Sequence, residues 1–184
     1  MKNLLILGAG TAGTIMANKM YKKLRGKEWS ITVVEKEMTH YYQPGFLFVP
    51  FGFYTKKEIE RSTRKFLPQG VNVIHSIIEN IHPSDNNVIL SDGKVLSYDI
   101  LIIATGTRIS PEDTLGLKGE LWYKNIFDFY TAEGADALVN FLKPGREAIW
   151  LLMWPIILSN VPLLLLNSHF FPIIISLAGG CATR

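Results

Sequence analysis

Leu4-Leu5-Ile6-Leu7-Gly8-Ala9-Gly10-Thr11-Ala12-Gly13 leads into Thr14 to Leu24 and then Ile31-Thr32-Val33-Val34-Glu35. A short apolar run enters a glycine turn, a helix-like segment follows, and a second apolar run stops on an acid. Strand, glycine turn, helix, strand and acid, in that order, describe a dinucleotide-binding βαβ unit. Gly8 permits the tight turn, Gly10 lets the backbone approach a pyrophosphate, and Gly13 lets the helix pack close to the strand. The start of the helix, with Thr11 and Ala12, offers free N–H groups and a positive dipole end to phosphates. Glu35 can accept hydrogen bonds from ribose hydroxyls, with Lys36 beside it at the same strand end.

Working outward, the chain alternates structure signals with turn residues. Lys36 to Gly52 is rich in aromatics, Pro and Gly and shows neither helical nor strand period. So apolar a loop needs something to pack against, such as a bound ring. Lys56 to Phe66 reads as a helix ended by Pro68 and Gly70, and Val71 to Ile78 as a strand. Ile78 to Ile81, Val88 to Leu90 and Val95 to Tyr98 read as a meander, turned at Pro83 to Asn87 and Ser91 to Lys94. The unbroken run from Tyr98 to Ile103 predicts a buried parallel strand beside the first one. Its following turn, Ala104-Thr105-Gly106, would then face the same ligand as Gly8 to Gly13, beyond the carboxyl ends of the strands. Ser110 to Asp113 is a linker, and Thr131 to Leu142 reads as a helix.

Composition narrows the function. The 184 residues carry a formal charge of +3 and a single cysteine, Cys181. Lys56, Lys57, Arg61, Arg64 and Lys65, with Glu58 and Glu60 interleaved, read as a solvated face, so nucleic acid is not an expected partner. One cysteine excludes an intramolecular disulfide framework and a multi-cysteine metal site. No metal ligands and no catalytic acid–base pair are assigned. Met1 runs straight into a core strand, which leaves no room for a signal or transit peptide and predicts a cytoplasmic setting.

These motifs resemble those of the two-dinucleotide-binding-domain flavoproteins, the FAD-dependent pyridine nucleotide-disulfide oxidoreductases. That group binds FAD through an N-terminal GxGxxG, an acid ending the second strand and a later ATG turn. Here they are Gly8/Gly10/Gly13, Glu35 and Ala104-Thr105-Gly106. Within the group, His40-Tyr41-Tyr42-Gln43-Pro44-Gly45 looks like the stretch typical of sulfide:quinone oxidoreductases and flavocytochrome c sulfide dehydrogenases. The resemblance implies that Pro44 and Gly45, with Gln43 beside them, lie against the flavin ring, and that the Ile78 backbone meets the adenine. Thr105 and Gly106 would line the pyrophosphate. It also implies a two-electron reaction: sulfide attacks a cysteine disulfide, flavin takes the electrons, and quinone removes them at the membrane surface.

The expected fold is thus α/β, a parallel-sheet Rossmann-like FAD-binding domain with an inserted β-meander, truncated and followed by an apolar tail. Residues 1–109 form the FAD-binding portion, 110–147 begin a second dinucleotide-binding-type domain, and 148–184 are the tail. Other readings are an NADH:quinone or ferredoxin reductase-like flavoprotein, which calls for a second GxGxxG absent from this chain, and a membrane-anchored nucleotide-binding module. The tail has no Asp, Glu, Lys or Arg from Ala148 to Thr183. Its three prolines, two asparagines and His169 suit a membrane helix poorly. Codons can be chosen for Met153 to Ser176 so that a shifted frame spells VADNPVKCPVAPLEFTFFPDYY, containing the K-C-P-x-A-P segment that the resemblance leads one to expect. A frameshift near Pro144 to Ala148 would make the remainder an out-of-frame translation, and the product an inactive one. No cysteine precedes Cys181.

Overall fold

In the computed structural model, residues 1–142, 149–153 and 173–177 are described. The chain opens with β1 (Lys2–Leu7), α1 (Thr11–Leu24), β2 (Trp29–Glu35) and β3 (Thr39–Tyr41). Then come α2 (Lys56–Ile59), β4 (Glu60–Ser62), β5 (Asn72–His75), β6 (Ile78–His82), β7 (Asn87–Leu90), β8 (Val95–Ser97) and β9 (Ile100–Ile103). The last described elements are β10 (Ile126–Asp128), α3 (Ala132–Phe141), β11 (Ile149–Met153) and β12 (Ile173–Leu177). They form two units: Met1–Tyr41 with Glu60–Gly106, and Tyr42–Ile59 with the described residues from Thr107 onward.

The first unit is built on a parallel sheet in the order β5-β2-β1-β9. Leu5 pairs with Thr32 on one side and Leu101 on the other. The alternating side chains of β1 explain its continuous apolar run. Leu4 and Ile6 pack with Ala17, Ile31, Val33 and Val71 on the α1 face. Leu5 and Leu7 pack with Val34, Val88 and Leu90 on the opposite face. A strand buried on both faces has no polar side to show. The antiparallel meander β6-β7-β8 therefore does on one face what α1 does on the other. The α/β parallel sheet with its meander is the expected architecture.

Several local expectations are corrected. Helix α1 starts at Thr11 rather than Thr14, so Thr11, Ala12 and Gly13 lie inside its first turn. The helix read over Lys56 to Phe66 is a single turn, α2, followed by strand β4 and a 3-10 turn at Thr63–Phe66. Lys36 to Gly52 is not without regular structure, because β3 pairs antiparallel with β4, His40 opposite Arg61. Among residues so often charged, local helix propensity is overridden by the long-range ladder and by burial of Thr63. The strand read over Val71 to Ile78 is two strands, broken at Ser76 and Ile77.

The last parallel strand is also not buried. β9 is a sheet edge, and Ile100 and Ile103 are 46% and 61% exposed. Its apolar run indicated strand correctly but gave no information on whether a neighbour lies beyond it.

In the second unit α3 occupies the predicted place, with Thr131 as its N-cap and Leu142 as its C-cap. Phe127, Leu138 and Phe141 form its core. The backbones of β10, β12 and β11 make a three-stranded antiparallel sheet in that order. Most of the predicted tail, 154–172 and 178–184, lies outside the described residues, as does 143–148.

Candidate functional site

The turn between β1 and α1 is held by a short set of hydrogen bonds to its backbone. Gly8 N–H donates to the Val34 carbonyl at 2.8 Å. Ala9 N–H donates to Glu35 Oε2. The Gly10 carbonyl accepts from Thr14 twice, from its N–H at 3.0 Å and its hydroxyl at 2.9 Å. His40 Nδ1 lies 3.3 Å from the Ala9 carbonyl oxygen. The N–H groups of Gly10, Thr11, Ala12 and Gly13 are the donors left over, with no acceptor among the described residues.

A helix normally fills such donors with a capping side chain or an acid in its first turn. This one has neither: its N-cap is Gly10, without a side-chain cap, and its first turn holds no acidic residue. Spare N–H groups at the positive end of a fourteen-residue helix are an arrangement that suits an anion.

Glycine is required here for two different reasons. Gly8 has φ +95°, and a Cβ on it would overlap the Ala104 carbonyl. A Cβ on Gly13 would overlap the Gly8 carbonyl oxygen. The β1 turn, the first turn of α1 and the end of β9 are thus packed backbone against backbone. By contrast, a Cβ on Gly10 would meet nothing within 4 Å. That side of the loop is open, where a ligand could approach the main chain.

Ala104 stands at the end of β9, tied to β1 by its N–H donating to the Leu7 carbonyl at 2.7 Å. Thr105 and Gly106 follow it and are exposed. Glu35 closes β2 half-buried, its Oε1 accepting from Glu37 N–H at 3.0 Å while Oε2 takes Ala9 N–H. Lys36 is exposed beside it. The structure therefore gathers Gly8, Gly10, Thr11, Ala12, Gly13, Glu35, Ala104 and Thr105 around one turn. Ile78 begins β6 and packs with the meander core. Gln43, Pro44 and Gly45 form a 3-10 turn in the second unit, where Gly45 is buried close to Ile59.

Two residues carry more structure than their sequence context suggests. His40, readable as structural or as a proton carrier, packs at a tilt against Phe66 with ring centroids 4.6 Å apart and reaches the glycine turn. Asp128 is 1% exposed and accepts from Tyr123 Oη, Tyr130 N–H, Thr131 N–H and the Thr131 hydroxyl, fixing the start of α3. Burial, and then the facing Asp128 carboxylate, hold the Tyr123 hydroxyl above the usual tyrosine range, against the lowering effect of its Thr131 hydrogen bond. The sequence signal for this knot is an Asp three residues before Thr131 and six before Gly134, whose missing Cβ leaves room for the Asp128 carboxylate.

Comparison with known proteins agrees with the fold. The family described as pyridine nucleotide-disulphide oxidoreductase matches residues 2–149. The mitochondrial sulfide:quinone oxidoreductase of Dictyostelium discoideum is 30% identical over 150 residues, 80% of this chain and 33% of that protein. Its counterpart in Mus musculus is 30% identical over 151 residues, 82% of this chain and 33% of that protein. The X-ray structure of the sulfide:quinone oxidoreductase from Aquifex aeolicus superposes with a TM-score of 0.64 at 25% identity, covering 77% of this chain and 32% of that one. The chain spans about a third of the length of the curated relatives it matches. These oxidoreductases are FAD-binding flavoproteins. On its family match and its nucleotide-type βαβ unit, the chain belongs to the pyridine nucleotide-disulphide oxidoreductase family.

Proposed function

We propose that this chain binds FAD at the β1–α1 turn and represents the N-terminal portion of a sulfide:quinone oxidoreductase-type flavoenzyme. The observation that carries the reading is the uncapped N-terminus of α1, with four spare N–H groups, beside a Gly10 whose Cβ would meet open space. The turn suits the cofactor: its donors match a pyrophosphate, and both oxygens of Glu35 retain a lone pair for a ribose hydroxyl. Gly8 and Gly13 hold the loop in this form, and Thr105 and Gly106 complete its rim. Ile78 at the adenine and Gln43, Pro44 and Gly45 at the flavin ring rest on the family resemblance, as does Lys36. Residues 1–109 are taken as the FAD-binding portion and 110–147 as the start of a second domain.

When bound, FAD supplies the two-electron chemistry of the ring, and the protein's part is to bind and orient it. Sulfide oxidation with quinone as acceptor, at a membrane surface, is the further proposal. It calls for redox-active thiols near the ring, and these 184 residues hold only Cys181. The cysteines would have to come from outside this chain, which by itself should not turn over. Among the described residues no helix is long and apolar enough to cross a membrane.

The test is direct. The full 184-residue chain is mixed with FAD and desalted, and its visible absorbance is recorded. A retained flavin spectrum is expected, and none would overturn the FAD reading. Added sulfide and a soluble quinone should leave the rate at background; measurable turnover would overturn the proposed inactivity. The frameshift proposal is supported by the family match ending at residue 149. The encoding DNA tests it: a frame two bases on from the codon of Met153 should read through K-C-P-x-A-P, and any other sequence there discards the idea.

A further inference from the structure

We infer that His40 is a positioning residue for the dinucleotide turn, acting through the Ala9 peptide. The inference rests on the nucleotide-binding reading of that turn, but it concerns a residue outside the glycine motif. The Ala9 unit is held by side chains at both of its polar ends. Its N–H donates to Glu35 Oε2 from the end of β2, and its carbonyl faces His40 Nδ1 at 3.3 Å from β3. A carbonyl only accepts, so this contact requires the Nδ1–H form of the ring. The ring is in turn steadied by Phe66, centroids 4.6 Å apart at 44°. β3 is itself fixed by its ladder with β4, and Thr63 N–H donates to the Met38 carbonyl at 2.8 Å.

The consequence lies one residue on. The Ala9 carbonyl shares its peptide plane with the Gly10 N–H, because the peptide unit is rigid. A donor on that oxygen therefore sets the direction of the first spare N–H of the anion site. It also gives the Ala9 carbonyl a donor that neither β2 nor α1 supplies. Glycine at position 10, with open space where a Cβ would stand, lets this plane rotate, so an external anchor has something to hold. The short β3–β4 pair thereby carries a function: it brings His40 to the loop.

Three variants of the full chain separate this from simple packing. Asn places its Nδ2 donor near the position of the imidazole Nδ1, whereas Gln places its amide one carbon further out. His40→Ala should weaken FAD binding about ten-fold, the scale of one lost hydrogen bond, with His40→Gln close to it and His40→Asn near the parent. Phe66→Leu removes the ring contact but keeps the hydrogen bond, and should leave affinity within two-fold, a threshold set by the same scale. Hydrogen exchange over residues 8–13, measured without any nucleotide, should be faster in His40→Ala and restored in His40→Asn. This second readout does not depend on FAD. A parent chain that fails to bind FAD overturns the nucleotide reading, while unchanged exchange in His40→Ala overturns the clamp. Equal loss in His40→Ala and His40→Asn would also overturn it, since packing alone would then explain the residue.

Discussion

The Glu35 carboxylate accepts a hydrogen bond from the backbone N–H of Ala9, twenty-six positions earlier in the chain. One side chain thus belongs both to the end of β2 and to the glycine turn. Fixing the turn and meeting a ribose are compatible, because a carboxylate has about four acceptor sites and the protein uses two of them. Glu35→Gln replaces one acceptor by a donor, which must either face the Ala9 N–H or give up the Glu37 N–H. The expected result is FAD affinity lower by about ten-fold, measured by quenching of flavin fluorescence. An unchanged Kd would remove Glu35 from the site.

Gly10 and Gly13 should behave in opposite ways although both belong to the motif. At Gly13 a methyl group overlaps the Gly8 carbonyl, so Gly13→Ala must push the turn apart. Overpacking of that kind costs about 1–3 kcal/mol and should lower the midpoint of thermal unfolding. Gly10 has φ −67°, allowed for any residue, and open space where its Cβ would stand. Gly10→Ala should leave the unfolding midpoint unchanged or slightly raised, yet abolish FAD retention by occupying the path to the main chain. A Gly10→Ala protein that still keeps flavin through desalting would show that the ligand approaches elsewhere.

The β1 register makes a second pair of contrasting substitutions. Leu7 is fully buried on the meander face of the sheet, whereas Ile103, its partner across the β9 ladder, is 61% exposed. Leu7→Ala should cost about 2–5 kcal/mol. Ile103→Thr keeps the β-branched shape and should stay within about 0.5 kcal/mol. Chemical denaturation of the two variants checks both values. A large loss at Ile103 would mean that the β9 edge is covered in solution.

What could be read in advance follows from these same residues. β1, β2 and the glycine turn were legible because each carries its constraint locally: a two-faced apolar run, glycines where backbones touch, an acid at the strand end. β9 was legible as a strand, but its exposure depends on a neighbour that a run of isoleucines does not report. The segment from Thr39 to Phe66 was misread because its order is long-range. His40 meets Arg61 across a three-residue ladder, and Thr63 is buried by Glu37 and Met38 rather than by its own turn. Charged helix formers hid that ladder. The Ala9 peptide clamp was beyond sequence reading for the same reason: His40 is thirty-one residues from the atom it holds.

The Asp128 knot gives a prediction in pH. Tyr123 Oη donates to Asp128 Oδ2 at 2.9 Å, and burial together with the facing carboxylate keeps the phenol protonated beyond its ordinary range. A group whose folded pKa is raised binds its proton more tightly in the folded state. The unfolded tyrosine ionises near 10.0, so its contribution is complete below that pH and is lost as pH climbs from there through the higher folded value. Parent stability should therefore fall with alkaline pH more steeply than that of Tyr123→Phe, whose curve lacks this proton. The comparison is made by denaturation between about pH 8 and pH 11. Asp128→Ala removes the shared acceptor and leaves two backbone N–H groups and two hydroxyls without it, at a cost of about 3 kcal/mol or more. Parallel pH curves for parent and Tyr123→Phe would mean that the hydroxyl is ionised as easily as in the unfolded chain, and that the hydrogen bond to Asp128 does not hold it.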